Sequence, residues 1–388
     1  MIPLSVPNLS GRELQYLKKC VETNWVSSSG GFVKDFEDAV CRYVKAKHAV
    51  ACVNGTAGLH IALALCGAGR DDEVIVPTLT FIAPVNVVKY LGAEPVFMDC
   101  DDYLNIDCVK VREFCAKECT ATKAGLRNKK TGRVVKAIIP VHIFGNPCDM
   151  EELMKIARKY RLKVIEDATE SLGAYYTSGA YKGRFTGTVS DIGVYSFNGN
   201  KIITTGGGGM IVTDNGLLAK KGKYLTEQAK DDPVKHLHNE VGYNFRLTNL
   251  QAAVGLAQLE RLKGFIRVKK DNYAVYKKLL KGVKGAGMLG VPEGTAPNYW
   301  FYSLVIEKEL FGADRDKTMR HLLAKGIQTR PVWYLNHLQR PYLRNQAYKI
   351  EKAPRYWRRV LNLPCSTNLD LRQIRRVTSA IRGLGRGD

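Results

Sequence analysis

Over the first 215 residues, short apolar and β-branched runs alternate with segments whose apolar positions return every three to four residues. The runs at 49–53, 73–76, 95–99, 134–141, 163–166, 192–197 and 210–213 predict strands. Several lack polar alternation, as strands covered on both faces do. Between them, helical periodicity occupies 58–66, 82–90, 109–117 and 150–160. That alternation predicts an α/β fold, a mostly parallel sheet wound by helices. Two longer helical patterns follow, at 247–262 and 264–280. A break punctuated by glycine and proline then runs from 282 to 297. The expected division is a large domain over 1–281 and a smaller C-terminal α+β domain over 282–388, with the N-terminal segment packing on the smaller one. The smaller part is predicted to hold a strand at 299–306 and helices at 315–325 and 370–382. The basic stretch 123–133 reads as an exposed loop.

Charge changes this picture little. Lys and Arg exceed Asp and Glu by 59 to 37, a net +22. Such a field attracts polyanions and speeds capture of a small diphosphate-bearing substrate. No zinc finger or RNP-type strand is present, and the basic residues are spread along the whole chain, so a solvated surface and no nucleic-acid partner are expected. Residues 49–69 carry no Asp, Glu, Lys or Arg, but Asn54, Gly55, Thr56 and His60 interrupt them. A strand–turn–helix fits that stretch better than a membrane span. The N-terminal MIPLSVPNLSGRE lacks the basic-then-apolar order of an export signal, and the ten cysteines include no C-x-x-C pair. A reducing, cytoplasmic setting is therefore expected. Neither the Cys100, Cys108, Cys115, Cys119 group nor the His236/His238 pair has the partners of a common metal site, so no metal is expected.

Three segments carry candidate chemistry. In SDIGVYSFNGNKIITTGGGGM (190–210) a strand leads to Ser196, then Lys201, then four glycines. A lysine at a strand's end, partly desolvated, has its pKa lowered toward that of an amine nucleophile, although such a lysine is more often a solvated surface residue. The run 206–209 permits close backbone approach to a cofactor. VIEDA (164–168) ends a buried-type strand in two carboxylates, where open α/β sheets bind ligands; the plainer reading is that Glu166 and Asp167 cap the next element. In NGTAGL (54–59), the backbone of Gly55 and Ala57 with the Thr56 hydroxyl would suit a phosphate at a helix N-terminus, though many βα turns carry Gly and Thr.

In order along the chain, NGTAGL, PTLTFIA (77–83), VIEDATESLGA (164–174), SFNGNKIITTGGGGM (196–210) and GYNFRLTNLQAA (242–253) resemble the fold-type-I pyridoxal-phosphate (PLP) aminotransferases. Within them the chain is similar to the DegT/StrS family of sugar aminotransferases, from WVSSSG (25–30) onward. The resemblance implies that Lys201 carries PLP and moves protons between cofactor and sugar carbons, while Asp167 pairs with the ring nitrogen. It implies that Phe81 stacks on the ring, Thr56 and Ser196 bind the phosphate, and Asn244 reaches the cofactor of a second subunit in a homodimer. The 25–30 loop, with Trp25, Ser27 and Ser29, and TRPVWYLNH (329–337), with Arg330 and His337, would line the sugar and diphosphate region. For Arg330 an interdomain salt bridge, and for His337 a packed surface histidine, are equally good readings.

Two departures stand out. Glu170 occupies a position where many relatives carry His or Gln; an ionised carboxyl beside the cofactor is uncomfortable, so it is expected protonated or turned away. NGNK (198–201) replaces HP-x-K. Both resemble a branch acting on UDP-linked 4-keto-6-deoxy-N-acetyl sugars in bacterial glycan or nonulosonic-acid biosynthesis, with an amino acid, glutamate, as donor. The alternatives are 3-amination, amination of a GDP-linked sugar at C4, or a non-catalytic regulator or nucleic-acid binder that kept the fold.

Overall fold

The computed structural model describes residues 1–232 and 234–385. In chain order its strands are β1 (His48–Cys52), β2 (Asp72–Pro77), β3 (Glu94–Met98), β4 (Cys119–Thr122), β5 (Gly125–Asn128), β6 (Val134–Ile138), β7 (Lys163–Asp167) and β8 (Tyr175–Tyr176). They continue with β9 (Ile192–Ser196), β10 (Gly209–Thr213), β11 (Ala286–Met288), β12 (Thr295–Ala296), β13 (Tyr302–Ile306), β14 (Arg330–Pro331), β15 (Ala347–Tyr348) and β16 (Val360–Leu363). The main sheet runs β1-β10-β9-β7-β6-β2-β3-β15. Pairing is parallel from β9 to β15, whereas β10 is antiparallel to both β1 and β9. This is the wound α/β fold that the unbroken apolar runs predict.

Helices cover both faces. Gly55–Leu65 and Ala83–Tyr90 bury Leu59, Ile61, Val85 and Val88 with the Ile165, Val194 and Ile211 side chains of the sheet. On another face, Gly31–Val44 packs Phe36 and Val40 with Tyr195, Phe197 and Leu262. Neither this helix nor Glu13–Glu22 before it is foreshadowed in the alternating pattern, which begins only at the first strand.

Two expectations are corrected. The patterns at 247–262 and 264–280 are one helix, Asn249–Leu280, opened by a capping box between Thr248 and Gln251. Gly264 interrupts the periodicity, but one glycine costs a helix only about 1 kcal/mol, and packing at both ends overrides it. The basic stretch 123–133 is no simple loop: β4 and β5 form a hairpin, and β5 joins β6. Leu126 and Asn128 are buried, and Asn128 Nδ2 donates to Glu73 Oε2 at 2.7 Å. The surrounding charges hid a two-residue alternation.

A second sheet, β11-β13-β16-β14, shares a core with Tyr276, Leu280, the closing helix Leu371–Leu384 and Ile2 from the N-terminus. Ile2 bridges to Ile327, and Cys365 N donates to Leu4 O at 2.8 Å. β15, from the C-terminal third, crosses back to extend the main sheet beside β3.

Candidate active site

Registers bring the predicted residues together. Cys52 pairs with Gly209, Gly209 with Ser196, and Val194 with Asp167, so the turn after β1, the end of β9 and the end of β7 meet at one sheet edge. There a cavity of about 790 Å³ opens, lined by Gly55, Thr56, Phe81, Asp167, Glu170, Ser196, Lys201 and Arg330 among others. Ligands of open α/β sheets bind at such strand ends.

Strand alternation separates the two carboxylates of β7. Glu166 faces inward and accepts hydrogen bonds from His142 Nε2 (3.0 Å) and the amides of Gly187, Val189 and Ser190 (2.8 Å each). It is a structural anchor. Asp167 lines the cavity, where Thr169 is the sole hydrogen-bond partner of its carboxylate among the described residues, through a 3.1 Å contact from Thr169 N. Burial pushes its pKa up.

Lys201 Nζ lies 3.9 Å from Glu170 Oε1 and 4.0 Å from the centroid of the Trp300 ring. Burial pushes its pKa down, and the Glu170 and Asp167 carboxyls pull it back up. Burial likewise raises Glu170 to about 7, against the opposing pull of Lys201 and of a 2.8 Å hydrogen bond from Phe144 N. Glu170 thus points toward Lys201 rather than away from it, and burial favours its protonated form.

The helix Gly55–Leu65 presents its first turn to the cavity. A Cβ on Gly55 would come within 2.9 Å of Ser196 Cβ, so only glycine lets this turn sit against the end of β9. The Asn54 side chain accepts from Ala57 N at 2.8 Å and caps the helix. The expected phosphate contact from Ala57 is therefore corrected: its amide is spent, leaving Gly55, Thr56 and Ser196. The glycine run 206–209 also differs from expectation. A Cβ on Gly209 would lie 2.5 Å from Asn54 O, so that glycine packs backbone on backbone, and the whole run lies outside the cavity lining. PLP fits what remains: free first-turn N–H groups with two hydroxyls for a phosphate, a carboxylate with spare acceptor capacity for a ring nitrogen, and an amine beside it.

The other predicted residues divide between the cavity lining and places outside it. Phe81 is 52% exposed, its ring 6.3 Å from Trp333 in an edge arrangement. His337 is packed instead, Nδ1 2.5 Å from Thr78 Oγ1, and does not line the cavity. Arg330 lines it without an ion pair among the described residues, so the salt-bridge alternative is not what forms. Trp25, Ser27 and Ser29 are exposed on a loop held to the long helix through Asn249, with Asn249 Nδ2 to Trp25 O at 2.7 Å and Asn249 N to Ser27 O at 2.6 Å. Asn244 is exposed as well; none of these four lines the cavity of its own chain. Trp333, from the 329–337 segment, also lines it, whereas Trp300, Arg320 and Gln328 do so without any signal in the motifs, because they come from loops and a short helix of the C-terminal third.

A wound sheet with a buried lysine, an aspartate and a phosphate-type helix turn at its strand ends defines a fold-type-I PLP enzyme. The chain belongs to the DegT/DnrJ/EryC1/StrS aminotransferase family, whose model matches residues 7–382, and is a PLP-dependent sugar aminotransferase. It is 37% identical over 382 residues to GDP-perosamine synthase of Caulobacter vibrioides (98% of this chain, 97% of that one). To GDP-perosamine synthase of Escherichia coli O157:H7 it is 36% identical over 377 residues, covering 96% and 95%. A crystal structure of a DegT DnrJ EryC1 StrS aminotransferase from Brucella abortus superposes with a TM-score of 0.87 at 28% identity, over 97% and 96% of the two chains. No helix among the described residues is long and apolar enough to cross a membrane.

Proposed function

We propose that this enzyme transfers an amino group from an amino acid, glutamate, to the C4 keto group of a GDP-linked 4-keto-6-deoxy sugar. The observation that carries amino transfer is the Lys201 amine, held with the buried Asp167 and Glu170 in the cavity. The choice of GDP rests on likeness to the GDP-perosamine synthases along nearly the full length of both chains. It takes the place of the UDP-linked sugar expected from Glu170 and NGNK. Those residues lie beside Lys201, where the cofactor would sit, and so bear on chemistry rather than on the nucleotide.

When bound, PLP supplies an electron-withdrawing ring that stabilises negative charge at the carbon bonded to nitrogen. Asp167 would keep the ring nitrogen protonated, and Gly55, Thr56 and Ser196 would hold the phosphate, with Phe81 against the ring. Lys201 would be the attachment point and the proton carrier, since burial lowers its pKa and makes the amine readier to give up a proton. Arg330 and Arg320, at the other end of the cavity, would meet the diphosphate. Asn244 and the Trp25, Ser27 and Ser29 loop are exposed, as a contribution to a second subunit's site requires, which supports a homodimer. The free state of all ten cysteines among the described residues supports a reducing, cytoplasmic setting. We place the boundary between the two domains at 281/282, one residue past the end of the long helix, with β15 returning to the larger one.

The test is a panel of GDP- and UDP-linked 4-keto and 3-keto sugars with glutamate, the products read by mass spectrometry and NMR. A GDP-linked 4-amino product is expected. A product only from UDP sugars overturns the nucleotide, one aminated at C3 overturns the position, and a colourless protein that binds nucleic acid overturns the enzyme reading.

A further inference from the structure

Trp300 is held at three points. Its N–H donates to Asn298 Oδ1 (3.0 Å), its carbonyl accepts from Lys269 Nζ (3.0 Å), and its indole Nε1–H donates to Asn200 O (2.7 Å). Asn298 in turn donates through Nδ2 to the carbonyls of Glu170 (2.9 Å) and Leu172 (3.0 Å), so the segment carrying Trp300 is fastened to the turn carrying Glu170. The indole is 3% exposed, and its ring meets the Lys201 amine at 4.0 Å, whereas Glu170 stands beyond hydrogen-bond reach at 3.9 Å.

Lys269 is the second buried lysine of this region. It sits on the long helix, 3% exposed, with no carboxylate partner among the described residues. Its amine ends on two carbonyls, Trp300 O and Cys365 O (2.6 Å). Burying a lysine is costly unless its N–H groups are used, and here they tie the helix to the segment that presents the indole. Lys201 and Lys269 line one small void together with Asn200, Thr204 and Gln258.

We propose that Trp300 is a positioning residue that holds the free amine of Lys201 on its indole face, and that Lys269 acts through Trp300 by fixing its backbone. This rests on Lys201 being the reactive amine. A cation–π contact favours the protonated amine, as do the facing carboxyls Asp167 and Glu170, whereas burial favours the neutral form. Trp300 therefore sets both where the amine rests and how readily it gives up its proton.

The test uses the full-length enzyme loaded with pyridoxamine phosphate, which leaves the Lys201 amine free. Trace labelling with acetic anhydride at a series of pH values, with the Lys201 peptide quantified by mass spectrometry, gives the amine's titration midpoint. Trp300→Leu is expected to lower that midpoint by about one pH unit, and Trp300→Phe, which keeps a ring, by about half as much. Lys269→Met is expected to shift it in the same direction on its own and to add nothing in the Trp300→Leu background. An unchanged midpoint in Trp300→Leu overturns the role of Trp300, and full additivity overturns the route through it. Should Lys269→Met fail to fold, Lys269→Gln, which keeps an N–H donor, is expected to leave the midpoint near that of the parent, and a full shift there overturns the proposal. Labelling does not depend on which sugar is the substrate. If Lys201→Ala kept its turnover, the reading of Lys201 would fail while the labelling result stood.

Discussion

The two ends of the cavity are built from different material. At the closed end, Asp167 and Glu170 are 2% and 3% exposed and stand at or just past a central strand. At the mouth, Arg320, Gln328 and Arg330 are exposed, and they come from the middle of a short helix, a loop and a short edge strand. A charge in a dry, pre-set position acts on a reacting centre far more strongly than one that water screens. Side chains at the closed end should therefore control whether chemistry happens, and those at the mouth should control which nucleotide is held.

The sharpest break of that contrast is Lys201→Ala, expected to lower kcat by about 10⁴-fold or more in steady-state assays of product formation. Turnover near the parent rate would remove the closed end as the seat of chemistry. Asp167→Asn comes next, with a loss of about 10²–10³-fold in kcat and little change in KM for the sugar. A change confined to KM would place Asp167 in binding instead. At the mouth, Arg330→Ala is expected to raise KM for the nucleotide sugar about tenfold with kcat nearly intact, and Arg320→Ala somewhat less. Added salt should shrink both effects, because these groups are exposed. The smallest effect is on stability. Glu170 titrates near 7 in the folded chain and near 4.5 when unfolded, so the native state binds its proton more tightly. Its contribution favours folding at acid pH and is lost as pH rises from about 4.5 through about 7. Glu170→Gln should flatten that decline, raising the melting temperature of the cofactor-free chain at pH 8 by about 2–4 °C relative to the parent. Parallel pH–melting curves for the two proteins would show that burial does not hold the proton there.

The same contrast explains what could be read from the residues alone. The closed end was legible because strand, turn and chemistry are contiguous: Asp167 ends an apolar run, Gly55 and Thr56 follow one, and Lys201 stands five residues past Ser196. Trp300, Arg320 and Gln328 reach the cavity only through long-range packing, and no local pattern sets a loop tryptophan apart from a core one. The single helix Asn249–Leu280 escaped notice because Gly264 breaks the periodicity while tertiary contacts carry the helix through. The β4–β5 hairpin escaped because charge masks a short alternation. Ala57 misled for a different reason: the motif puts an amide in the right turn, but the preceding asparagine's own side chain takes it.

The long helix has a mechanical consequence. At 32 residues it spans about 48 Å, a single rod whose first half is clamped between the N-terminal helices and whose second half is embedded under the second sheet. β15 adds a second tie between the two parts, and it is made of chain sequentially remote from the rod. A body fastened by a stiff beam on one side and a hydrogen-bonded strap on another has little freedom to swing. Entry and exit of a bulky nucleotide must then be handled by rim side chains such as Phe81, Trp333 and Arg320 turning aside, and the frame that aims Lys201 stays still while they do.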